Sequence, residues 1–277
     1  MNKIEFLNIL DKFDLSDNKK NTLLSYITGL SREALFIKWN DLTLDSFKCE
    51  SIISDLEKWR PFEYIVWSSE FMWLDFYVDE RVLIPRDDTS VIVENIIKWN
   101  YDLLIDVWTW SWTIPISFLK NIDIKTDVVW LDLSEMAIEV SKINMNKHQL
   151  SYIIEKSDLL TYIFDNIDNF SKFKKICISA NLPYIKKDDF NNMDSSVYNF
   201  EPDLALYWWE ITWFEIYENL INQAIKLNRI IDSEITLFIE IWFDQKAISE
   251  IFLTKKWLKF EYFKDSSRIN RVLKILF

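Results

Sequence analysis

The stretch LLIDVWTWSW, residues 103–112, is the most informative part of this chain about its fold. Its first half, LLIDV, is a short apolar run of the kind that forms a buried strand, and a helical pattern follows residue 112. The second half therefore lies where a strand turns into a helix, and Trp108, Trp110 and Trp112 have no evident purpose there as indoles. With glycine at these positions the string becomes DVGTGSG, a glycine-rich loop that permits a tight turn and lets backbone approach a nucleotide cofactor.

The composition of the whole chain is also unusually rich in tryptophan and poor in glycine. The 277 residues include fourteen tryptophans and one glycine, Gly29. Average glycine usage of about 7% predicts about 19 glycines in this length. A folded chain needs glycine wherever φ is positive or backbone must approach a ligand closely. Trp59 illustrates the pattern: it lies between a helical segment and Arg60-Pro61, where glycine is the usual helix stop.

Strand-like and helical segments alternate outward from this stretch. The apolar runs are LLIDV, DVVWLDL, KICISANLPY and TLFIEI, and two further strand-like runs, 260–263 and 271–277, close the chain. This order predicts an α/β fold, namely a Rossmann-like, mainly parallel sheet with an antiparallel hairpin at one edge.

The first 84 residues have a different pattern. Residues 1–60 show apolar positions at helical spacing, which predicts a small helical-bundle domain, and the strings FEYIV and LDFYV alternate in a way that predicts a β-hairpin linker over 61–84. The predicted domains are therefore 1–60, 61–84 and 85–277.

Charge and composition exclude several classes of protein. The formal net charge is −12 and no run of Lys or Arg follows the spacing of a phosphate backbone, so we expect a protein partner and no stable nucleic-acid binding. No stretch approaches the roughly 18 uninterrupted apolar residues that span a membrane. The start, Met1-Asn2-Lys3, leads into an acidic amphipathic segment rather than a signal peptide, so we expect no membrane contact and a cytoplasmic location.

Familiar catalytic and metal-binding patterns are sparse. Cys49 and Cys177 form no CxxC pair, so neither a disulfide framework nor a thiolate metal site is supported. His148, the single histidine, lies at a predicted helix end, where the helix dipole explains it better than catalysis does. No Ser-His-Asp set or phosphate-binding Lys loop can be assembled, and we expect no metal site.

Two aspartates follow predicted strands at the edge that the loop occupies. Asp132 ends the strand after the loop, where its carboxylate can accept hydrogen bonds from both ribose hydroxyls of a cofactor. Its alternative role is in the helix N-cap beside Ser134. Asp158 follows a third strand-like run and can face an adenine amino group, although a surface-turn aspartate is an equally simple interpretation.

The string Asn181-Leu182-Pro183-Tyr184 is the strongest local signal for chemistry. It resembles the [Asn/Asp]-Pro-Pro-Tyr motif of methyltransferases that act on planar amide or exocyclic amino nitrogens. An amide nitrogen is a poor nucleophile, so acceptors must hold its hydrogens: the Asn181 side-chain oxygen and the Leu182 carbonyl suit this role, with the Tyr184 ring beside the planar group. Leu182 replaces the first proline, and Pro183 still biases it toward extended backbone. The alternative is a plain strand-to-loop turn.

Further blocks, in the same order, resemble the family of release factor-specific protein-(glutamine-N5) methyltransferases. VLIPRDDTS, residues 82–90, is similar to that family's VLIPRPETE, with differences at positions 87, 88 and 90. FEP at 200–202 with ALYWW at 205–209 is similar to EPxxALxGG, and EIWFDQ at 240–245 to EIGxxQ, when tryptophan is replaced by glycine. The pair Lys264-Asp265 and Arg271 are similar to the closing strand pair.

This resemblance implies a class I enzyme that uses S-adenosylmethionine to methylate the glutamine side chain in the Gly-Gly-Gln loop of peptide chain release factors, by in-line displacement at the methyl carbon. The N-terminal helices resemble the family's release-factor-docking domain, and family precedent implies a monomer. The motif residues implied for catalysis are Asn181, Leu182, Pro183 and Tyr184. Those implied for cofactor binding are Asp106, Trp108, Thr109, Trp110, Ser111, Trp112, Asp132, Asp158 and Asn181.

Two other functions stay open at this point. Asn-Leu-Pro-Tyr is also the form found in ribosomal-RNA adenine dimethyltransferases, so N6-adenine methylation of RNA or DNA is an alternative, opposed by the net charge and by the LIPR and EPxxAL blocks. A catalytically inactive release-factor-binding protein is the other, and it requires the tryptophans to be genuine.

Eleven tryptophans coincide with glycines of the family: positions 59, 67, 73, 108, 110, 112, 130, 208, 209, 242 and 257. UGA is read as glycine in some bacterial lineages, and translation under a table that assigns UGA to tryptophan would produce this replacement. A chain made literally as written should bind the cofactor poorly, because indoles at 108–112 would fill its place.

Overall fold

The computed structural model describes residues 1–108, 110–183, 195–202 and 214–277. These residues form two compact units. One contains Met1–Ser68 together with the helix Ser195–Phe200, and the other contains the remaining described residues from Ser69 onward. The division into 1–60, 61–84 and 85–277 that the sequence suggests stays a prediction.

The first unit is helical, as the spacing of its apolar residues predicts. Its helices are α1 (Lys3–Leu10), α2 (Asp17–Thr28), α3 (Arg32–Ile37), α4 (Ser46–Glu57), α5 (Phe62–Val66) and α11 (Ser195–Phe200). Capping explains where the longer ones begin, because Asn2, Ser16 and Asp45 accept hydrogen bonds from backbone N–H groups of the first turns. The core of this unit includes Phe6 and Leu24.

One predicted strand is wrong. The string FEYIV forms helix α5 rather than half of a hairpin, with Tyr64, Ile65 and Val66 buried. Over five residues with one polar position, helical and strand periods cannot be told apart. The hairpin itself exists a few residues later, as β1 (Ser69–Phe71) paired antiparallel with β2 (Leu74–Phe76).

The second unit alternates strands and helices after this hairpin. Its helices are α6 (Ser90–Ile96), α7 (Thr113–Lys120), α8 (Glu135–Lys147), α9 (Thr161–Asp165), α10 (Ile167–Phe170), α12 (Glu215–Ile230) and α13 (Gln245–Lys255). Its remaining strands are β3 (Leu103–Val107), β4 (Asp127–Asp132), β5 (Ile153–Lys156), β6 (Lys175–Ala180), β7 (Glu234–Glu240), β8 (Lys259–Lys264) and β9 (Asn270–Leu276).

The seven later strands form one sheet in the order β5-β4-β3-β6-β7-β9-β8. The pairs from β5 through β7 are parallel, and β9 pairs antiparallel with both β7 and β8. Helices cover both faces and enclose two apolar clusters, one containing Ile105 and Ile178 and the other containing Leu104 and Cys177. The Rossmann-like α/β fold predicted from the sequence is therefore confirmed.

This topology fixes where a site belongs. The chain goes from β3 to β4 on one side and returns to β6 on the other, so the order reverses beside β3. Ligands of open α/β sheets bind outside the carboxyl ends of the strands at such a switch point. Among the described helices, none combines the length and the apolar character that crossing a bilayer requires.

Candidate active site

The loop after β3 has the backbone of a glycine-rich turn. Trp108, Trp110 and Trp112 have φ angles of 63°, 51° and 73°. This left-handed region is costly for any residue with a Cβ and is routine only for glycine. Thr109, assigned to cofactor binding from the sequence, lies outside the described residues.

Neighbouring elements hold this loop by its backbone. The N–H of Trp108 donates to the carbonyl of Leu131 at 2.8 Å. From helix α8, Ser141 Oγ donates to the carbonyl of Trp110 at 3.3 Å and Asn144 Nδ2 donates to the carbonyl of Ser111 at 3.0 Å. β4 and α8 thus hold the backbone of the loop on one side.

Asp132 lies where the sequence predicts an acidic group, at the end of β4 and almost fully buried. Its Oδ2 accepts from the N–H of Trp110 at 3.1 Å and its Oδ1 accepts from the N–H of Ser134 at 2.8 Å. Ser134 is itself the N-cap of α8 and accepts from the N–H of Ala137. Asp132 therefore contacts both the glycine-type loop and the start of the next helix.

The other aspartates assigned from the sequence differ in their surroundings. Asp106, in β3, is buried and its carboxylate accepts a hydrogen bond from Ser179 Oγ. Asp158 is exposed two residues after β5, and its backbone carbonyl accepts from the N–H and the hydroxyl of Thr161. Cys177, in β6, is fully buried, and burial raises the pKa of its thiol well above the ordinary value, so it stays a neutral core residue.

The indoles of the loop fill the space that the backbone creates. Trp108, Trp110 and Trp112 are at most 4% exposed. The Trp110 indole N–H donates to the carbonyl of Asn181 at 3.0 Å, so this ring lies between the loop and the segment that follows β6. The ring centroid of Trp112 is 4.0 Å from that of Trp130, and the N–H of neither indole has a hydrogen-bond partner among the described residues. The backbone therefore fits a nucleotide-type cofactor and these side chains do not.

The segment after β6 brings the second predicted group to the same edge. Asn181, Leu182 and Pro183 follow β6 directly and are buried. The carbonyl of Leu182 accepts from the hydroxyl of Tyr217 at 3.2 Å, while the Leu182 side chain packs in the core. Since β3 pairs with both β4 and β6, the ends of these strands bring the loop, Asp132 and Asn181 together. Tyr184, assigned to catalysis from the sequence, lies outside the described residues.

Two residues that we did not assign to the site from the sequence lie beside Asn181. One is hydrogen-bonded to Asn181, and the other is hydrogen-bonded to the first. Asn181 Nδ2 donates to Thr89 Oγ1 at 3.2 Å, and Thr89 Oγ1 donates to Glu240 Oε2 at 2.7 Å. All three side chains are less than 10% exposed. Thr89 belongs to the VLIPRDDTS block and Glu240 to the EIWFDQ block, so the only sequence signal was their presence in those blocks.

Ion pairs join residues from several of the sequence blocks that resemble the methyltransferase family. Arg86 pairs with the buried Glu201, and Arg271 pairs with Asp88 at 3.0 Å and with Asp265 at 3.1 Å. Burial acts to raise the pKa of Asp265, but hydrogen bonds from the N–H of Ile269 and from Arg271 outweigh it and hold that pKa below its ordinary value. Asp265 is thus a stable anionic partner for Arg271. The ALYWW block lies outside the described residues.

Solved structures share this architecture. The catalytic domain of human METTL16 in complex with MAT2A 3'UTR hairpin 6 superposes with a TM-score of 0.53 and 14% identity, over 82% of this chain and 79% of that one. The N-terminal domain of human METTL16 in complex with SAH gives a TM-score of 0.50 and 16% identity, over 73% and 74%. At these identities the likeness concerns the fold alone. Fold and site together define a Rossmann-like methyltransferase.

Curated relatives identify the family. The release factor glutamine methyltransferase of Clostridium acetobutylicum is 30% identical over 275 residues, which is 95% of this chain and 91% of that protein. The protein of the same name from Clostridium botulinum is 29% identical over 98% of this chain and 96% of its own. No protein-family model matches the chain. The chain belongs to the release factor glutamine methyltransferase family.

Proposed function

We propose that this enzyme methylates the side-chain amide nitrogen of the glutamine in the Gly-Gly-Gln loop of a peptide chain release factor, with S-adenosylmethionine as the methyl donor. The observation that carries the proposal is the buried Asn181 at the end of β6, beside the loop after β3. Its relatives are named for this activity. Family membership favours glutamine over a nucleic-acid adenine and favours an enzyme over an inactive binding protein.

The protein made in its own cell carries glycine at the tryptophan positions that match family glycines. Eleven of the fourteen tryptophans lie in described ranges, and seven of these eleven have positive φ: 59, 67, 73, 108, 110, 112 and 257. Trp67 ends α5 with φ 58°, as the single glycine, Gly29, ends α2 with φ 68°. Indoles rarely adopt this conformation, whereas glycine adopts it freely. Recoded UGA codons account for all seven.

With glycine in the loop, the site residues suit the donor. Backbone N–H groups of residues 106–112 would hold its methionine and ribose portions, Asp132 the ribose hydroxyls and Asp158 the adenine amino group. When bound, S-adenosylmethionine supplies an electrophilic methyl group. The chain's own part is to orient the acceptor: the Asn181 side-chain oxygen and the Leu182 carbonyl accept hydrogen bonds from the target amide, and the Tyr184 ring packs beside it.

The remaining assignments follow from the same function. The helical residues 1–60 dock the release factor, residues 61–84 link them to the methyltransferase domain over 85–277, and the enzyme acts as a monomer in the cytoplasm. The net charge of −12 supports a protein substrate rather than nucleic acid.

The identity of the fourteen residues is tested first, by intact mass spectrometry of the protein purified from its native cell. Each tryptophan replaced by glycine lowers the mass by the difference between an indole-bearing side chain and hydrogen. A deficit equal to eleven or more replacements supports glycine in the loop. A mass equal to the written sequence would overturn the glycine assignment and, with it, catalysis.

The activity is then tested with purified release factor and methyl-labelled donor. We expect label on one glutamine, located by tandem mass spectrometry in the Gly-Gly-Gln loop. A release factor with asparagine in place of that glutamine is the matched control and should remain unlabelled. Label on RNA and none on the release factor would reverse the choice of substrate.

A further inference from the structure

Three buried side chains form a hydrogen-bonded row at the carboxyl edge of the sheet. Thr89 ends the short 3₁₀ turn before α6, Glu240 ends β7, and Asn181 follows β6. Their exposed fractions are 4%, 0% and 6%. Because the hydrogen bonds measure 3.2 Å and 2.7 Å, this row connects the turn, β6 and β7 through side chains alone. A residue in such a row cannot turn without breaking a buried hydrogen bond.

The single hydrogen of the Thr89 hydroxyl determines which atom donates in each hydrogen bond of the row. A hydroxyl has one hydrogen, and Thr89 Oγ1 donates it to Glu240 Oε2. The same oxygen then has only lone pairs to offer Asn181, which must present its Nδ2 hydrogens. The opposite rotamer would place the Asn181 carbonyl oxygen against those lone pairs. The orientation of the Asn181 amide is thus set by its neighbours.

We infer that Thr89 and Glu240 are positioning residues that keep Asn181 Oδ1 available as a hydrogen-bond acceptor for the target nitrogen. The inference rests on the proposed function, because it assumes that the target is a planar amide that carries hydrogen. With Nδ2 committed to Thr89, Asn181 presents an acceptor to a substrate. The site therefore selects a nitrogen that can donate a hydrogen bond, and Asn181 need not be reordered when the substrate arrives.

Paired substitutions at Thr89 separate orientation from packing. Thr89→Val keeps the shape and removes the hydroxyl, while Thr89→Ser keeps the hydroxyl and removes a methyl group. In the full chain made with glycine at the positions assigned above, we expect Thr89→Val to lower kcat about 10-fold, the equivalent of one hydrogen bond. The KM for the release factor and the donor affinity should stay within about 2-fold. Thr89→Ser should restore most of the lost kcat.

A second background tests whether Thr89 acts through Asn181. In an Asn181→Ala chain there is no amide to orient, so Thr89→Val should have little further effect on kcat. If Thr89→Val slows the Asn181→Ala chain by the same factor as the parent, Thr89 acts independently and the inference is overturned.

Nuclear magnetic resonance of the protein without substrate provides a readout that needs no activity. The Asn181 side-chain amide signal is identified by its loss in Asn181→Asp. Its hydrogens should exchange slowly in the parent and in Thr89→Ser, and about 10-fold faster in Thr89→Val. Thr126→Val is the matched control: Thr126 is also buried and donates to the carbonyl of Tyr101 at 3.0 Å, from the residue just before β4. It should lose stability without altering the Asn181 signal or kcat.

The outcomes distinguish this inference from the proposed function. If the parent does not methylate the release factor but the Asn181 signal responds to Thr89→Val and not to Thr126→Val, the proposed function fails and the orientation by Thr89 stands. If the parent is active and the Asn181 signal is the same in both Thr89 variants, the orientation by Thr89 is overturned and the proposed function stands.

Discussion

The loop after β3 and the segment after β6 lie at the same edge of the same sheet, yet they relate to their sequences in opposite ways. In the loop, the backbone has positive φ at three positions that the sequence fills with indoles. In the segment, Asn181 is buried with its amide hydrogen-bonded, and Leu182 has its side chain in the core. One region has a backbone that its residues do not suit, and the other has a backbone that its residues support.

One edge of a sheet thus combines residues that suit their backbone with residues that do not. Natural sequences agree with their folds at the level of local preference, packing and polar satisfaction. Seven tryptophans have positive φ, which supports the proposed glycine identity, although the same conformation also occurs at Asp14, Met72, Gln149, Leu159 and Arg268. Residues 181–183, the described part of the segment after β6, are the region from which chemistry can be inferred.

The largest effect is expected from the loop itself. Replacing Trp108, Trp110 and Trp112 together by glycine should tighten S-adenosylmethionine binding at least about 100-fold relative to the chain as written, because the indoles no longer fill its place. Isothermal titration calorimetry measures it. Trp39→Gly, the same replacement in the first unit, should leave the affinity unaltered. Equal affinity in the written and the triple-glycine chains would contradict the comparison.

The second largest effect is expected from a substitution in the segment after β6. In the glycine-containing chain, Asn181→Ala should lower kcat about 100-fold, since the target amide loses an orienting acceptor, while the donor affinity changes less than about 3-fold. Steady-state kinetics and calorimetry give the two quantities. Asn166→Ala, at the break between α9 and α10, is the control. Parallel losses in kcat and in donor affinity would show that Asn181 holds the fold or the donor instead.

The free energy of unfolding should respond to the loss of Asn144, which is hydrogen-bonded to the loop after β3. Asn144 is fully buried, accepts from the N–H of Tyr77 at 2.7 Å and donates to the carbonyls of Tyr77 and Ser111. Asn144→Leu removes these three hydrogen bonds and should lower the free energy of unfolding by about 3 kcal/mol in urea denaturation. The exposed Asn146→Leu on the same helix should change it by less than about 0.5 kcal/mol. Similar values for the two variants would mean that the loop is held in another way.

The smallest effects distinguish backbone strain from side-chain packing. Trp73 and Trp257 have positive φ and are 93% and 94% exposed, so glycine at either position should raise the free energy of unfolding by about 1 kcal/mol. Trp99 does not have positive φ, and its ring centroid lies 4.4 Å from Lys274 Nζ. Trp99→Gly should therefore lower the free energy of unfolding by about 0.5 kcal/mol. Thermal and urea unfolding of the three single variants compares them. A loss at Trp73 or Trp257 would mean that these positions favour indole.

Much of the fold could be predicted because parallel strands buried on both faces appear as apolar runs. LLIDV and TLFIEI needed no tertiary information, and the acid at the end of β4 followed from spacing. FEYIV was misassigned because five residues with one polar position do not define a period. Contacts of Thr89 were not predictable, since it lies 92 positions from Asn181 and 151 from Glu240, and only the completed sheet brings these residues together.

The place of β9 has a consequence for how the chain is made. Among the described strands this one is synthesised last, yet it lies between β7 and β8 and supplies Arg271 to Asp88 and Asp265. While the ribosome has not yet released residues 270–276, β7 presents an open edge on which another nascent chain can pair. A chain that ended before residue 270 would keep that edge open, so the completion of β9 removes a surface on which unfinished chains can aggregate.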